Sequence, residues 1–147
     1  AEPLTPARPL ELDVATKEMA VTPSQGWLAS PVGRRGSVAT VLGPRDLAAP
    51  ARIFPACAIA AARVAEWMEQ ACARALVPVL APGFATIGLE LRLKVYPEIA
   101  IDVGATVNTV ATVVEADEAT QTLRFRIAMD VGGQIVAGGL FSRRVVG

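Results

Sequence analysis

The chain has 147 residues, 52% of them apolar and 19% charged, with no net charge at pH 7. That suits one domain with a sizeable core and excludes a chain disordered throughout. Balanced charge argues against nucleic acid as the main partner, and the absence of histidine removes the commonest general base, the commonest metal ligand and every triad built on imidazole.

Residues 1–36 read as an N-terminal arm, partly extended or disordered, because Pro3, Pro6 and Pro9 recur among scattered charges. Within the arm Met19–Val21 is a candidate short strand. Pro23–Gly26 has turn chemistry, Trp27 and Leu28 are expected to tuck against the domain, and Pro31–Gly36 reads as a loop. Residues 37–147 form the domain itself. Ser37–Leu42 is its first convincing strand, stopped by Gly43-Pro44. A linker rich in Ala and Pro then runs from Arg45 to Arg52.

The stretch from about Ala56 to Val77 has strong helix formers and no Gly or Pro, with Pro55 suited to its first turn and Pro78 to its stop. At 100° per residue, Ala60, Val64, Trp67, Met68, Ala71 and Ala75 share an apolar stripe, and Arg63, Glu66, Gln70 and Arg74 lie opposite. Glu69 falls on the seam, beside Cys72 and Leu76. It is the acidic group of the helix placed to look into a crevice. The two cysteines, Cys57 and Cys72, stand about 22 Å apart along such a helix, far beyond the ~7 Å Cα limit for a disulfide. Free thiols suit a reducing compartment. With no signal-peptide pattern and no apolar run long enough to span a bilayer, a cytoplasmic protein away from membranes is expected.

Four strand patterns follow. Thr86–Tyr96 alternates, with Leu89, Leu91, Leu93 and Val95 on one face and Glu90, Arg92 and Lys94 on the other. Gly104 opens a run rich in Val and Thr, ended by a turn at Asp117–Gln121. Next, Leu123, Phe125, Ile127 and Met129 alternate with Arg124, Arg126 and Asp130. Gly132-Gly133 reads as a hairpin turn. The last strand, Gln134–Val146, contains Gly138-Gly139, which marks a bulge or a close backbone approach. One strand, one long helix and four strands predict an α+β fold: an antiparallel sheet of about five strands wrapped around a central helix.

That element order is the order of the hot-dog fold, and the residues resemble thioesterases of the fluoroacetyl-CoA thioesterase type from about Ser37 to Val146. The resemblance rests on Met68-Glu69, Ala71-Cys72 and Arg74-Ala75, then Pro78, Leu80, Pro82-Gly83 and Ile87-Gly88. Gly104 with Thr106-Val107, and the closing Gly139, Arg143 and Val145, complete it. It implies a homodimer that binds an acyl-CoA, or a carrier-linked acyl thioester, at the subunit interface and hydrolyses it without metal or cofactor.

The family's catalytic set is a Thr at the helix start, a Glu within the helix and a His on the next strand. Glu69 matches the glutamate. The threonine position falls on Ala56 or Ala61, with Cys57 adjacent, and the histidine position on or near Val95. The alternative is a non-catalytic hot-dog domain that binds a small acyl or aromatic ligand, having lost the family Thr and His.

Glu69 is therefore the candidate general base. Cys57, near the helix N-terminus, and Gly88, where a ligand can pass close to the backbone, are candidate substrate-binding positions. Arg143 is a candidate for the phosphates of CoA, with Arg144, Arg92 and Lys94, because a guanidinium fork fits phosphate.

Overall fold

A computed structural model describes residues 26–47, 59–96, 99 and 101–147. The readings placed on residues 1–25, on Pro55 and Ala56, and on Cys57 lie outside the described residues.

Five strands, β1 (Arg35–Val41), β2 (Ala85–Val95), β3 (Thr106–Asp117), β4 (Thr122–Val131) and β5 (Gln134–Val146), form one sheet in the order β1-β3-β4-β5-β2. Every neighbouring pair is antiparallel. The helix α1 (Ala61–Leu76) lies against one face, mainly on β1 and β3. This is the predicted sheet wrapped around a helix. No helix among the described residues is long and apolar enough to cross a membrane.

The alternation read from β4 sets its orientation: Leu123, Phe125, Ile127 and Met129 are all buried toward α1. Val64, Trp67, Met68, Ala71, Cys72, Ala75 and Leu76 of α1 complete that core, and each large side chain among them contributes about 1.5–3 kcal/mol by leaving water. The small residues bring the helix backbone down onto β1. A Cβ at Gly36 would collide with the backbone of Ala71, Arg74 and Ala75, and Arg74 Nη1 donates to the Ser37 carbonyl across the same contact at 2.9 Å. Gly36 is thus a strand residue under a helix, where the composition of Pro31–Gly36 had read as a loop.

The helix begins later than its composition predicts. Ile59 is buried and bridges to Leu47, and Ala60 is extended at φ −60°, ψ 134°. Ala60 N–H donates to the Asp46 carbonyl at 2.8 Å, so the entry to α1 is tied to a 3-10 turn at Pro44–Asp46. Arg63 closes the tie with an ion pair to Asp46 at 3.0 Å. Tertiary pairing here overrides alanine's helix preference.

Two further readings change. Trp27 is buried and bridges to Leu80, as expected, but its neighbour Leu28 is 69% exposed. In β2 the pairing with β5 shifts between Gly88 and Glu90, so Leu89 is an extra residue in a bulge and is 44% exposed instead of joining Leu91 and Leu93 inward.

Candidate functional site

At the middle of α1 one side chain reaches off the apolar stripe toward the end of the sheet formed by β2 and β5. Glu69 Oε2 lies 3.2 Å from Arg143 Nη1. The environments of the partners differ sharply: the Arg143 side chain is 6% exposed and that of Glu69 56%. The carboxylate is therefore the open end of the pair and the guanidinium its buried foundation.

The other two guanidinium nitrogens also donate. Arg143 Nε donates to Thr86 Oγ1 at 2.9 Å and Nη2 to the Thr86 carbonyl at 3.1 Å. The group also lies over the Phe141 ring, 4.7 Å from its centroid, a cation–π contact strengthened by burial. A buried arginine needs this set of partners, because an unpaired charge out of water is expensive. β2 and β5 build the clamp through register: Gly88 faces Arg143 across the ladder and Thr86 faces Val145. A Cβ at Gly88 would stand 3.0 Å from the Phe141 ring and 3.3 Å from Arg143 Nη1, so glycine leaves the space that the ring and guanidinium fill.

Three of the four sequence-derived site residues, Glu69, Gly88 and Arg143, thus converge. The fourth, Cys57, lies outside the described residues. Arg143 separates from the other cations proposed with it: it faces α1, whereas Arg144 is exposed and Arg92 and Lys94 alternate with the inward Leu91 and Leu93. Thr86 and Phe141 were missed. Both could have been found by period two, since each stands two residues before a chosen residue on the same strand face, Thr86 before Gly88 and Phe141 before Arg143.

Cys72, one turn beyond Glu69, is fully buried. Burial pushes its thiol up to about 12, with Arg143 opposing and Glu69 reinforcing the shift. It is a neutral core residue at physiological pH, not a nucleophile. Ala61 is the first residue of α1 and Val95 the last of β2. Each carries an apolar side chain with no hydroxyl or imidazole, and Ala56, the other candidate for the threonine position, lies outside the described residues.

The match to the model of the fluoroacetyl-CoA-specific thioesterase family, FlK, spans residues 51–147. Among solved structures, the fluoroacetyl-CoA thioesterase FlK is similar at TM-score 0.65 and 24% identity, over 78% of this chain and 87% of that one. A Thermus thermophilus hypothetical protein described as a thioesterase superfamily member is similar at TM-score 0.67 and 19% identity, over 79% and 83%. A hot-dog-like protein from Thermanaerovibrio acidaminovorans is similar at TM-score 0.63 and 23% identity, over 79% and 83%. A search of curated protein sequences gave no match. These neighbours give the sheet around α1 its name, the hot-dog fold, and with the match over residues 51–147 the chain belongs to the fluoroacetyl-CoA-specific thioesterase family.

Proposed function

We propose that this protein binds an acyl-CoA, or a carrier-linked acyl thioester, and hydrolyses it with Glu69 as general base at an interface between two copies of the chain. The observation that carries this reading is the Glu69–Arg143–Thr86 chain of contacts beside Gly88. It fixes an accessible carboxylate on a buried support, next to a strand bulge where a ligand can approach the backbone. The family match supports the substrate class, and one FlK structure holds fluoroacetate and CoA.

The chemistry requires little beyond that carboxylate. Glu69 takes a proton from water as the water oxygen attacks the thioester carbonyl carbon. Collapse of the tetrahedral intermediate breaks the C–S bond, and Glu69 returns the proton to the departing sulfur. Thiols ionise at about 8.5, so a thiolate leaves with much less acid assistance than an alkoxide or amide nitrogen. This is the physical reason a chain without histidine can still serve. Backbone N–H groups near Gly88 or at the start of α1 are the candidate oxyanion donors.

The proposed interface rests on β2, which among the described residues ends the sheet and exposes Ile87 and Leu89. A bare apolar edge invites pairing, and a two-fold partner would cover it while walling the open side of Glu69. A dimer at micromolar concentration is expected by sedimentation, and a concentration-independent monomer would contradict an interface site. The buried free thiol of Cys72 fits a reducing compartment, the cytoplasm.

The absence of histidine from the chain, with alanine at both candidate threonine positions, Ala56 and Ala61, favours a second reading, a hot-dog domain that binds an acyl or aromatic ligand without turnover. A thiol-release screen over a panel of acyl-CoAs, run beside a binding assay, decides between them. Release of thiol supports the hydrolase; saturable binding with no release supports the binding domain.

A further inference from the structure

On the sheet face turned away from α1, a shallow groove of about 460 Å³ is bordered by Arg92, Lys94, Tyr96, Arg126, Gly138 and Leu140. Register builds it. Arg92, Leu140 and Arg126 stand abreast on β2, β5 and β4, and Lys94 and Gly138 occupy the next outward row.

The two adjacent glycines of β5 differ in their surroundings. A Cβ at Gly139 would meet Met68 Sδ of α1 and the Arg92 carbonyl, both at 3.1 Å, so a side chain there is crowded by the helix and the neighbouring strand. A Cβ at Gly138 would meet only the Ile127 carbonyl at 3.6 Å, an ordinary contact, and its φ lies outside the left-handed region. Among the described residues nothing in the packing requires glycine at 138, yet a glycine inside a strand weakens it and commonly marks close approach of a ligand. Its missing side chain makes the flat floor of the groove.

Charge points to the ligand. The chain is neutral overall, but the described residues that line this groove include three cationic side chains and no carboxylate. Arg92 bonds Glu90 at 3.3 Å while remaining exposed, and Lys94 lies 5.2 Å from the Tyr96 ring centroid. Arg126 has no carboxylate partner among the described residues.

We propose that this groove binds a phosphorylated nucleoside, its base flat on Gly138 against Leu140 and Tyr96 and its phosphates on Arg126, Arg92 and Lys94. The site lies on the opposite sheet face from Glu69, so it is independent of the thioester reading and of whether that reading stands.

The test is an amide and arginine-Nε NMR titration of the full chain with adenosine 3′,5′-bisphosphate, with adenosine and pyrophosphate as the two separated halves. Saturable shifts are expected at Gly138, Gly139 and Arg126, with Arg143 unmoved. Each half should bind at least about tenfold more weakly, and Arg126→Gln should weaken the bisphosphate about tenfold. Gly138→Leu should abolish binding with the remaining amide spectrum retained, and Gly138→Ala serves as a milder variant should leucine perturb the strand. Absence of saturable shifts would overturn the proposal. So would shifts centred on Arg143, or pyrophosphate binding as tightly as the bisphosphate, which would show charge attraction alone.

Discussion

Arg143 and Arg144 are adjacent in sequence and opposite in circumstance. Arg143 points toward α1, 5% exposed, with Glu69, Thr86 and Phe141 around its guanidinium. Arg144 points outward and is exposed, facing Thr122 and Ile87 in the neighbouring strands. A strand turns one residue pair into one buried and one solvated cation, because successive side chains leave opposite faces. The comparison teaches that basic residues near the end of this chain do two kinds of work. The buried one holds a carboxylate in place, and the exposed ones remain available to anions.

The largest expected difference tests that division directly. Arg143→Ala removes a buried side chain and strips the Thr86 carbonyl and Glu69 of their donor, at a cost of about 3 kcal/mol. Arg144→Ala should change stability by less than about 0.5 kcal/mol. Urea denaturation of the two variants measures both, and equal losses would break the comparison.

Thr86→Val sharpens it. The isostere keeps the strand but leaves Arg143 Nε without its acceptor, costing about 1–2 kcal/mol, while Thr86→Ser should recover most of that loss. No difference between Val and Ser would mean that the 2.9 Å contact with Thr86 Oγ1 contributes nothing.

A pH dependence, confined to alkaline solution, lies beneath the pair. Burial pushes the Cys72 thiol up to about 12 in the folded chain, against 9.0 for an unperturbed thiol. The unfolded chain therefore releases this proton first, and the stabilisation from the protonated buried thiol, complete below 9, is lost as pH rises from 9 toward 12. In a Cys57→Ala background, the folded protein should resist a thiol reagent at pH 8 and react fully once unfolded. Rapid modification of the native state would contradict a buried Cys72.

Much of this architecture was legible in the residues. The alternation through Leu123, Phe125, Ile127 and Met129 reads directly as one buried face, and the stripe through Val64, Met68, Ala71 and Ala75 as another. Glu69 on the helix seam needed only the 100° step. What escaped was set by contacts between distant segments. Ile59 carries helix-compatible neighbours but pairs with Leu47. Gly36 looks like loop chemistry until α1 is laid on top of it. Leu89 loses its inward place to a bulge that alternation cannot foresee. The clamp on Arg143 joins residues 57 and 74 positions away, and local pattern carries no trace of such a partnership.

One paired measurement addresses the proton transfer proposed for Glu69 in thioester hydrolysis. Glu69→Gln and Glu66→Gln are compared for thiol release from the best acyl-CoA substrate, with stability followed in parallel. Both carboxylates are exposed on α1, but Glu66 pairs with Arg63 at 3.0 Å, away from Arg143. The account predicts that Glu69→Gln lowers kcat by about 10²-fold or more with the fold retained, while Glu66→Gln leaves turnover unchanged. Equal and negligible effects of the two changes would remove Glu69 from the reaction and contradict the account.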